Sequence, residues 1–443
     1  MPLLSVEHYP MPIMISIRPI KLFLLPLCVI FCTSGVFVQN NEHKQLPEYY
    51  NEYLESIVDE ILLLKSDEAD CFFYWTDTHF PENSGYAPAI MCYIQDKVGA
   101  IKKFYGGDSI KNAPSLSPGM DLFTSTLIQA GQYNLLYPVR GNHDFISTTS
   151  DSVSRPEIMD NLQTWAYLDS FCSPDVVKDE SVATSNYYYL DSNEGRIRYI
   201  VFDTTEITEE GTVKYGITDG QMEWVFNQAV STLPAGWSIM FISHVPLSAG
   251  HVTCEEITRA GDKIAEMASG TNILLCLSGH RHSDITTAIG PVLQVLTESD
   301  CLVDCARTIT PYSNRLEKKS SGTINEQTLD YVSISMDHKK VTFKRIGHGF
   351  DRVFNVTPII AKSGDIVKLP AVSENPVHWT IYDAEIFSIG SYDETGYRKM
   401  YLVQDSVELM DNNFVRYTNV GNYIAVAVEE DGTKNYFITS VQP

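Results

Sequence analysis

The sequence predicts an α/β fold through about residue 351, followed by a small all-β module. Three observations predict it. Short apolar runs recur, and each leads into Asp, Asn or His side chains. Helical periodicity fills several of the intervals between those runs. From Arg352 onward the texture changes to short β-like runs separated by turn signals, with no convincing helix.

The chain has 443 residues and a formal net charge of −24, with 44% hydrophobic, 11% aromatic and 20% charged residues. That composition belongs to a folded protein of two or three domains, at ~150 residues per domain. The acidic balance argues against general binding to nucleic acid or an anionic membrane, both of which are polyanions. It does not exclude a small phosphate-bearing substrate. Nothing in the sequence reads an oligomeric state.

Arg18 and Lys21 precede the apolar stretch Leu22–Phe31, and the small residues Thr33, Ser34 and Gly35 follow. A positive flank, a short apolar core and a small-residue exit make a secretory signal. Residues 1–39 are therefore expected to be a signal peptide and the mature chain to be extracytoplasmic. The core is shorter than the ~20 residues of a membrane span. Cys32 keeps a lipid anchor as the alternative route to a membrane, although Phe31 before it is bulky. Nine cysteines, less Cys28 and Cys32, leave seven, an odd and irregularly spaced set that is no disulfide framework. Cys301 and Cys305 either pair or stay as two semi-buried thiols.

The larger domain is expected over 40–351. Pro47–Lys65 reads as a helix, with Tyr50, Leu54, Ile57, Val58, Ile61 and Leu64 on one face. Cys71–Trp75 then leads to Asp77-Thr78-His79. Ala87–Phe104 is a helical candidate, and Phe104–Tyr105 leads to Gly106-Gly107-Asp108. Met120–Ala130 is another helical candidate before Leu135–Val139, which leads to Arg140-Gly141-Asn142-His143-Asp144. A helical piece at Ile158–Phe171 and a hairpin of Tyr187–Leu190 with Ile197–Phe202 follow. Thr218-Asp219-Gly220-Gln221 reads as a capping box that opens a helix. Ile239–Ile242 leads to Ser243-His244, and Ile273–Leu277 to Ser278-Gly279-His280-Arg281-His282. Val292–Leu296 is a strand, and Tyr331–Ser335 with Lys340–Arg345 a hairpin.

The module over 352–443 carries β-like runs at Val353–Val356, Ile366–Leu369, Val377–Ile381, Met400–Val403, Tyr423–Val428 and Tyr436–Val441. It resembles a bacterial Ig-like β-sandwich domain with no chemistry of its own; scaffolding, surface presentation and glycan contact stay open. Activity should largely survive its deletion if the upstream domain does the chemistry.

In layered α/β folds, ligands bind beyond the carboxyl ends of the strands. One topology therefore gathers Asp77, His79, Asp108, Asn142, His244, His280 and His282 at one edge. Mixed carboxylate, amide and imidazole ligation suits divalent transition metals such as Zn, Mn or Fe. Seven donors are too many for one open zinc centre and suit two metal ions sharing a carboxylate. Asp108 is the natural bridge, since it stands alone after the glycine pair. Two dications outweigh Asp77 and Asp108, so such a site attracts a phosphate oxygen despite the acidic surface. A lone His is usually structural, and His43, His338, His348 and His378 are read so. His251 and Asp203 are read as loop and turn residues.

The order Asp-x-His, Gly-Asp, Gly-Asn-His-Asp, lone His, Gly-His-x-His resembles the calcineurin-like metallophosphoesterase family over about Ala69–Phe350. The resemblance implies a four-layer α+β core, two facing sheets flanked by helices. It implies Asp77, His79 and His282 on one metal, Asp108 as the bridge, and Asn142, His244 and His280 on the second. It makes His143 and Asp144 the catalytic pair: His143 contacts phosphate or protonates the leaving group, and Asp144 holds its ring. His79 stands where purple acid phosphatases carry Gly, and Lys111 where they carry a ligand Tyr, so a tyrosinate-bound ferric centre is not expected. The function implied is hydrolysis of a small phosphomono- or phosphodiester by metal-activated water. Nucleotides, phospholipid head groups and sugar phosphates all stay open. The alternative is a non-catalytic binding or adhesion protein on the same scaffold.

Overall fold

The structure, a computed structural model, describes residues 45–79, 85–110, 135–144, 161–207, 213–248, 254–301, 308–309, 319–372, 378–384, 388–392, 398–401, 407–410 and 413–443. The expected signal peptide, the Met120–Ala130 helix, His43, Lys111, His251 and Cys305 lie outside these residues.

Two large sheets organise the chain. The first has nine strands, in the spatial order His378–Asp383, Gly421–Val428, Lys434–Gln442, Arg352–Lys362, Lys340–Gly347, Thr328–Ser335, Glu68–Trp75, Lys102–Tyr105, Leu136–Pro138. The second has seven: Ile285–Ile289, Val292–Leu296, Asn272–Ser278, Ser238–Ser243, Ile197–Val201, Tyr188–Ser192, Val177–Lys178.

Side chains alternate across a strand, and the first strand divides its residues accordingly. Phe72 and Tyr74 enter an apolar cluster shared by both sheets, with Tyr199, Val201, Met240, Leu275 and Leu277. Phe73 and Trp75 point the other way, onto Leu54, Ile57 and Ile61 of helix Asn51–Leu64 and Ile90 and Ile94 of helix Ala87–Val98. The second sheet does likewise. Ile239, Phe241, Ile273 and Cys276 pack on Val225 and Ala229 and on Ile257, Ala260 and Ile264 of helix Glu255–Met267. Helix, sheet, sheet, helix is the four-layer arrangement expected. No described helix is long and apolar enough to cross a membrane.

Two details differ from the sequence reading. The helix expected over Ala87–Phe104 ends at Val98, because Gly99 takes a left-handed backbone (φ 95°). Lys102–Tyr105 is then strand. Helix Glu255–Met267 is absent from the sequence reading, although Ile257, Ala260 and Ile264 make a buried stripe at helical spacing and Glu255 and Glu256 suit its N-terminus. Half of the expected Thr218 capping box forms, its hydroxyl accepting the Gln221 N–H at 3.1 Å, while the Gln221 side chain bonds the backbone of Asp203 instead of returning to Thr218.

The segment 352–443 does not stand apart. Arg352–Lys362 pairs antiparallel with Lys340–Gly347 and parallel with Lys434–Gln442, so the C-terminal strands extend the first sheet. Trp379, Tyr417, Tyr423 and Phe437 build a satellite cluster, while Phe354, Ile424, Tyr436 and Ile438 join the main core. A separate Ig-like sandwich is not shown.

Candidate metal centre

Parallel pairing brings the ligand loops to one level. Trp75 lies opposite Tyr105, and Tyr105 opposite Pro138, in the first sheet. Ser243 lies opposite Ser278 in the second. Each of these strands ends within a few residues of a donor, so all seven predicted ligands reach one edge.

Three groups could each hold an ion: Asp77, His79 and His282; Asp108, His244 and His280; and His79, Asp108 and His143, which overlaps both. In the first group, His282 Nε2 lies 3.2 Å from Asp77 Oδ1 and 3.0 Å from His79 Nε2. In the second, His244 Nε2 lies 3.2 Å from Asp108 Oδ2 and 3.1 Å from Asn142 Oδ1, and His280 Nδ1 lies 3.0 Å from Asn142 Oδ1. Asp108 Oδ2 is also 3.9 Å from His79 Nε2, so it faces both groups. Such separations suit donors that each stand ~2.0–2.2 Å from a shared ion. Asp77 Oδ1 is buried without a hydrogen-bond partner. A buried carboxylate oxygen facing two imidazole nitrogens fits a cation held between them.

The surroundings aim these atoms. His244 Nδ1 meets the Gly106 carbonyl at 2.7 Å, which turns Nε2 toward the site. Asp77 Oδ2 accepts from Thr76 Oγ1 and from the His280 N–H, leaving Oδ1 to the donors. Asp77, His79, Asp108, His280 and His282 all adopt left-handed backbone, with φ between 47° and 68°. That conformation is strained for residues other than Gly and persists only where neighbours over-determine it. Close packing is one such restraint: a Cβ on Gly141 would stand 2.2 Å from Asp108 Oδ1.

Asp144 departs from its expected role. Its Oδ2 accepts the N–H groups of Asp108 and Gly141, and its Oδ1 accepts the N–H of Ser109. It clamps two ligand loops together instead of holding the His143 ring. His143 donates its backbone N–H to Asp108 Oδ1 at 2.8 Å, and its ring, 22% exposed, packs edge-on to His79 with Nε2 4.0 Å from Asp108 Oδ2.

Electrostatics keep the carboxylates anionic. Burial opposes the ionisation of Asp77, but His282, His79 and His244 outweigh it and hold the group well below the usual range. Asp108 is lowered in the same way, against burial, by His244, His143 and His79. His244 is raised to about 10, because Asp108 and Asp77 overcome its burial. His280 is pushed down to about 3 by burial and by charged His244.

Two contributions were not legible as function. Tyr215, 38% exposed, stands edge-on to the His280 ring at 5.2 Å. Only the approach of the Thr205–Ile207 and Val213–Tyr215 hairpin puts it there. Arg140, just before the Gly-Asn-His-Asp run, forms a buried two-point ion pair with Asp203 and also reaches the Thr205 carbonyl. Asp203 is thus structural, as read, and its work is to fix the third ligand loop. His338 and His348 are structural too, bonded to Ser238 and Glu298.

Fold and site define a four-layer α+β protein whose strand ends gather Asp, Asn and His groups that could hold metal. No family model matches the chain, and no curated protein matches it. Solved structures are similar at low scores. A dimetal phosphatase from Danio rerio is 13% identical, covering 65% of this chain and 99% of its own, with a TM-score of 0.40. A 5'-nucleotidase from Candida albicans is 12% identical over 61% of this chain and 49% of its own (TM-score 0.36). The phosphopantetheinyl hydrolase of Mycobacterium tuberculosis is 12% identical over 53% and 90% (TM-score 0.32). At such scores the likenesses carry no functional argument, which rests on the site.

Proposed function

We propose that the chain is an exported phosphoester hydrolase with a dinuclear metal centre. The observation that carries this reading is the shared carboxylate, Asp108 Oδ2, which faces both donor groups. Asp77, His79 and His282 would hold one dication, and Asn142, His244 and His280 the other, with Asp108 common to both. When bound, such a pair supplies Lewis acidity toward a phosphoryl oxygen and lowers the pKa of water from ~15.7 to roughly 7.

The chain's own residues do the rest. His143, whose ring is partly open like that of His282, would donate to a phosphoryl oxygen or protonate the departing one. Asp144 keeps the second and third loops in register. Tyr215 borders the His280 side with an aromatic face. Export rests on the N-terminal signal alone.

Elemental analysis of purified protein, with a panel of chromogenic phosphomono- and diesters, tests this. The expected result is about two metal ions per chain and turnover of at least one ester class. Asp108→Asn should lose both ions and turnover. Metal without turnover on any ester would favour the non-catalytic reading, and a metal-free active protein would end the proposal.

A further inference from the structure

Behind the His280–His282 loop lies a buried cluster of charge that the donor set does not use. Asp284, two residues past His282, accepts from Arg352 Nη1 at 2.7 Å, from Arg345 Nη2 at 2.8 Å and from the Glu298 N–H at 3.1 Å, all on Oδ1. Both arginines also bind Asp330: Arg352 through Nη2 at 2.7 Å and Arg345 through Nε at 2.9 Å. Glu298 accepts from Arg345 and His348. Just beyond it, the Asp300 N–H donates to the Thr76 carbonyl and the Cys301 N–H to the Asp77 carbonyl. Both stretches tied to the cluster therefore reach metal donors.

Arg352 is the first residue of the Arg352–Lys362 strand, is 2% exposed, and lies over the Phe343 ring. Lys434, its partner in the adjoining parallel strand, is buried as well. A buried guanidinium is held by its paired carboxylates, and removing it leaves Asp284 to Arg345 and the Glu298 N–H alone and Asp330 to Arg345, so the cluster must repack. The loop it steadies contains His280 and His282 in left-handed backbone, which needs external restraint.

We infer that the C-terminal strands complete the metal centre, with Arg352 acting through Asp284 as a positioning residue for His280 and His282. The inference rests on the reading of the site as a metal centre. It replaces the expectation that the chemistry survives loss of 352–443.

The test is release of metal from purified full-length protein to excess EDTA, followed by elemental analysis over time. Arg352→Gln should lose its ions at least ~10-fold faster than the unmodified chain, as partners behind metal ligands usually cost 10–100-fold in affinity. Arg352→Lys, which keeps the charge but not the fork, should fall between. Arg416→Ala, which removes an exposed C-terminal ion pair with Glu408, should release at the unmodified rate. A folded Arg352→Gln protein that keeps both ions as long as the unmodified chain overturns the inference. If that variant does not fold, Arg352→Lys decides: release within twofold of the unmodified rate overturns it. An unmodified chain that carries no metal sinks the metal-centre reading itself, and the inference with it.

Discussion

Asp144 Oδ2 accepts the backbone N–H of Asp108 at 3.0 Å, joining loops that lie 36 residues apart. The same carboxylate holds the N–H groups of Ser109 and Gly141. One buried side chain thus sets the distance between Asp108 and the Asn142 loop.

Asp144→Asn should therefore be a stability and metal-loading defect. An amide NH2 turned toward backbone N–H groups leaves at least one buried donor unsatisfied, at ~1–3 kcal/mol each. Urea unfolding should show a loss of ~3 kcal/mol, and elemental analysis a reduced metal content. Unchanged stability with only a shifted pH profile of turnover would return Asp144 to the ring of His143.

His143→Ala should behave in the opposite way. The bond from residue 143 to Asp108 Oδ1 comes from the backbone and survives the substitution. Metal content should stay near that of the unmodified chain, while kcat falls ~10²–10⁴-fold, the usual contribution of a general acid. Retained hydrolysis would remove His143 from the reaction.

Gly141→Ala should displace Asp108, since the new Cβ would meet its Oδ1 at 2.2 Å and its backbone nitrogen at 2.3 Å. Metal content and activity should both collapse. Gly270→Ala, with nothing within 4 Å of the added carbon, is the control and should change neither.

Lys103 gives a pH prediction away from the donor set. It is 1% exposed, and its amine is pushed down to about 8, chiefly by burial. The unfolded chain, with an ordinary lysine near ~10.4, binds the extra proton between the two values, so this residue makes unfolding free energy rise with pH in that window. Below pH 8 it is charged in both states and its burial cost is present in full. Lys103→Met should stabilise the protein at pH 7 by up to ~3 kcal/mol and flatten its stability between pH 8 and 10. Urea unfolding at pH 7, 8, 9 and 10 reads both effects. A variant less stable than the unmodified chain at pH 7 would show that Lys103 is compensated where it lies.

The sequence by itself determined the kinds of donor, their order and the strands that carry them. Each apolar run is local, and the residue types that follow it are chemistry in themselves, so Asp77, His79, Asp108, Asn142, His244, His280 and His282 stand out as candidate donors without coordinates. The same locality exposed helix Asn51–Leu64, the Thr218 cap and the late hairpins. The end of helix Ala87–Val98 was harder, because the break lies in the backbone of Gly99 and not in the apolar pattern.

Tertiary structure decided what those donors lean on. Which buried carboxylate meets which cation depends on strand order across the sheets, and no local pattern encodes it. Arg140 with Asp203, Arg352 with Asp284, and Asp144 with three backbone N–H groups all join residues that are ordinary when read alone. The joining of the C-terminal strands to the first sheet is of the same kind: a strand's alternation declares its faces but not the neighbour along its edge.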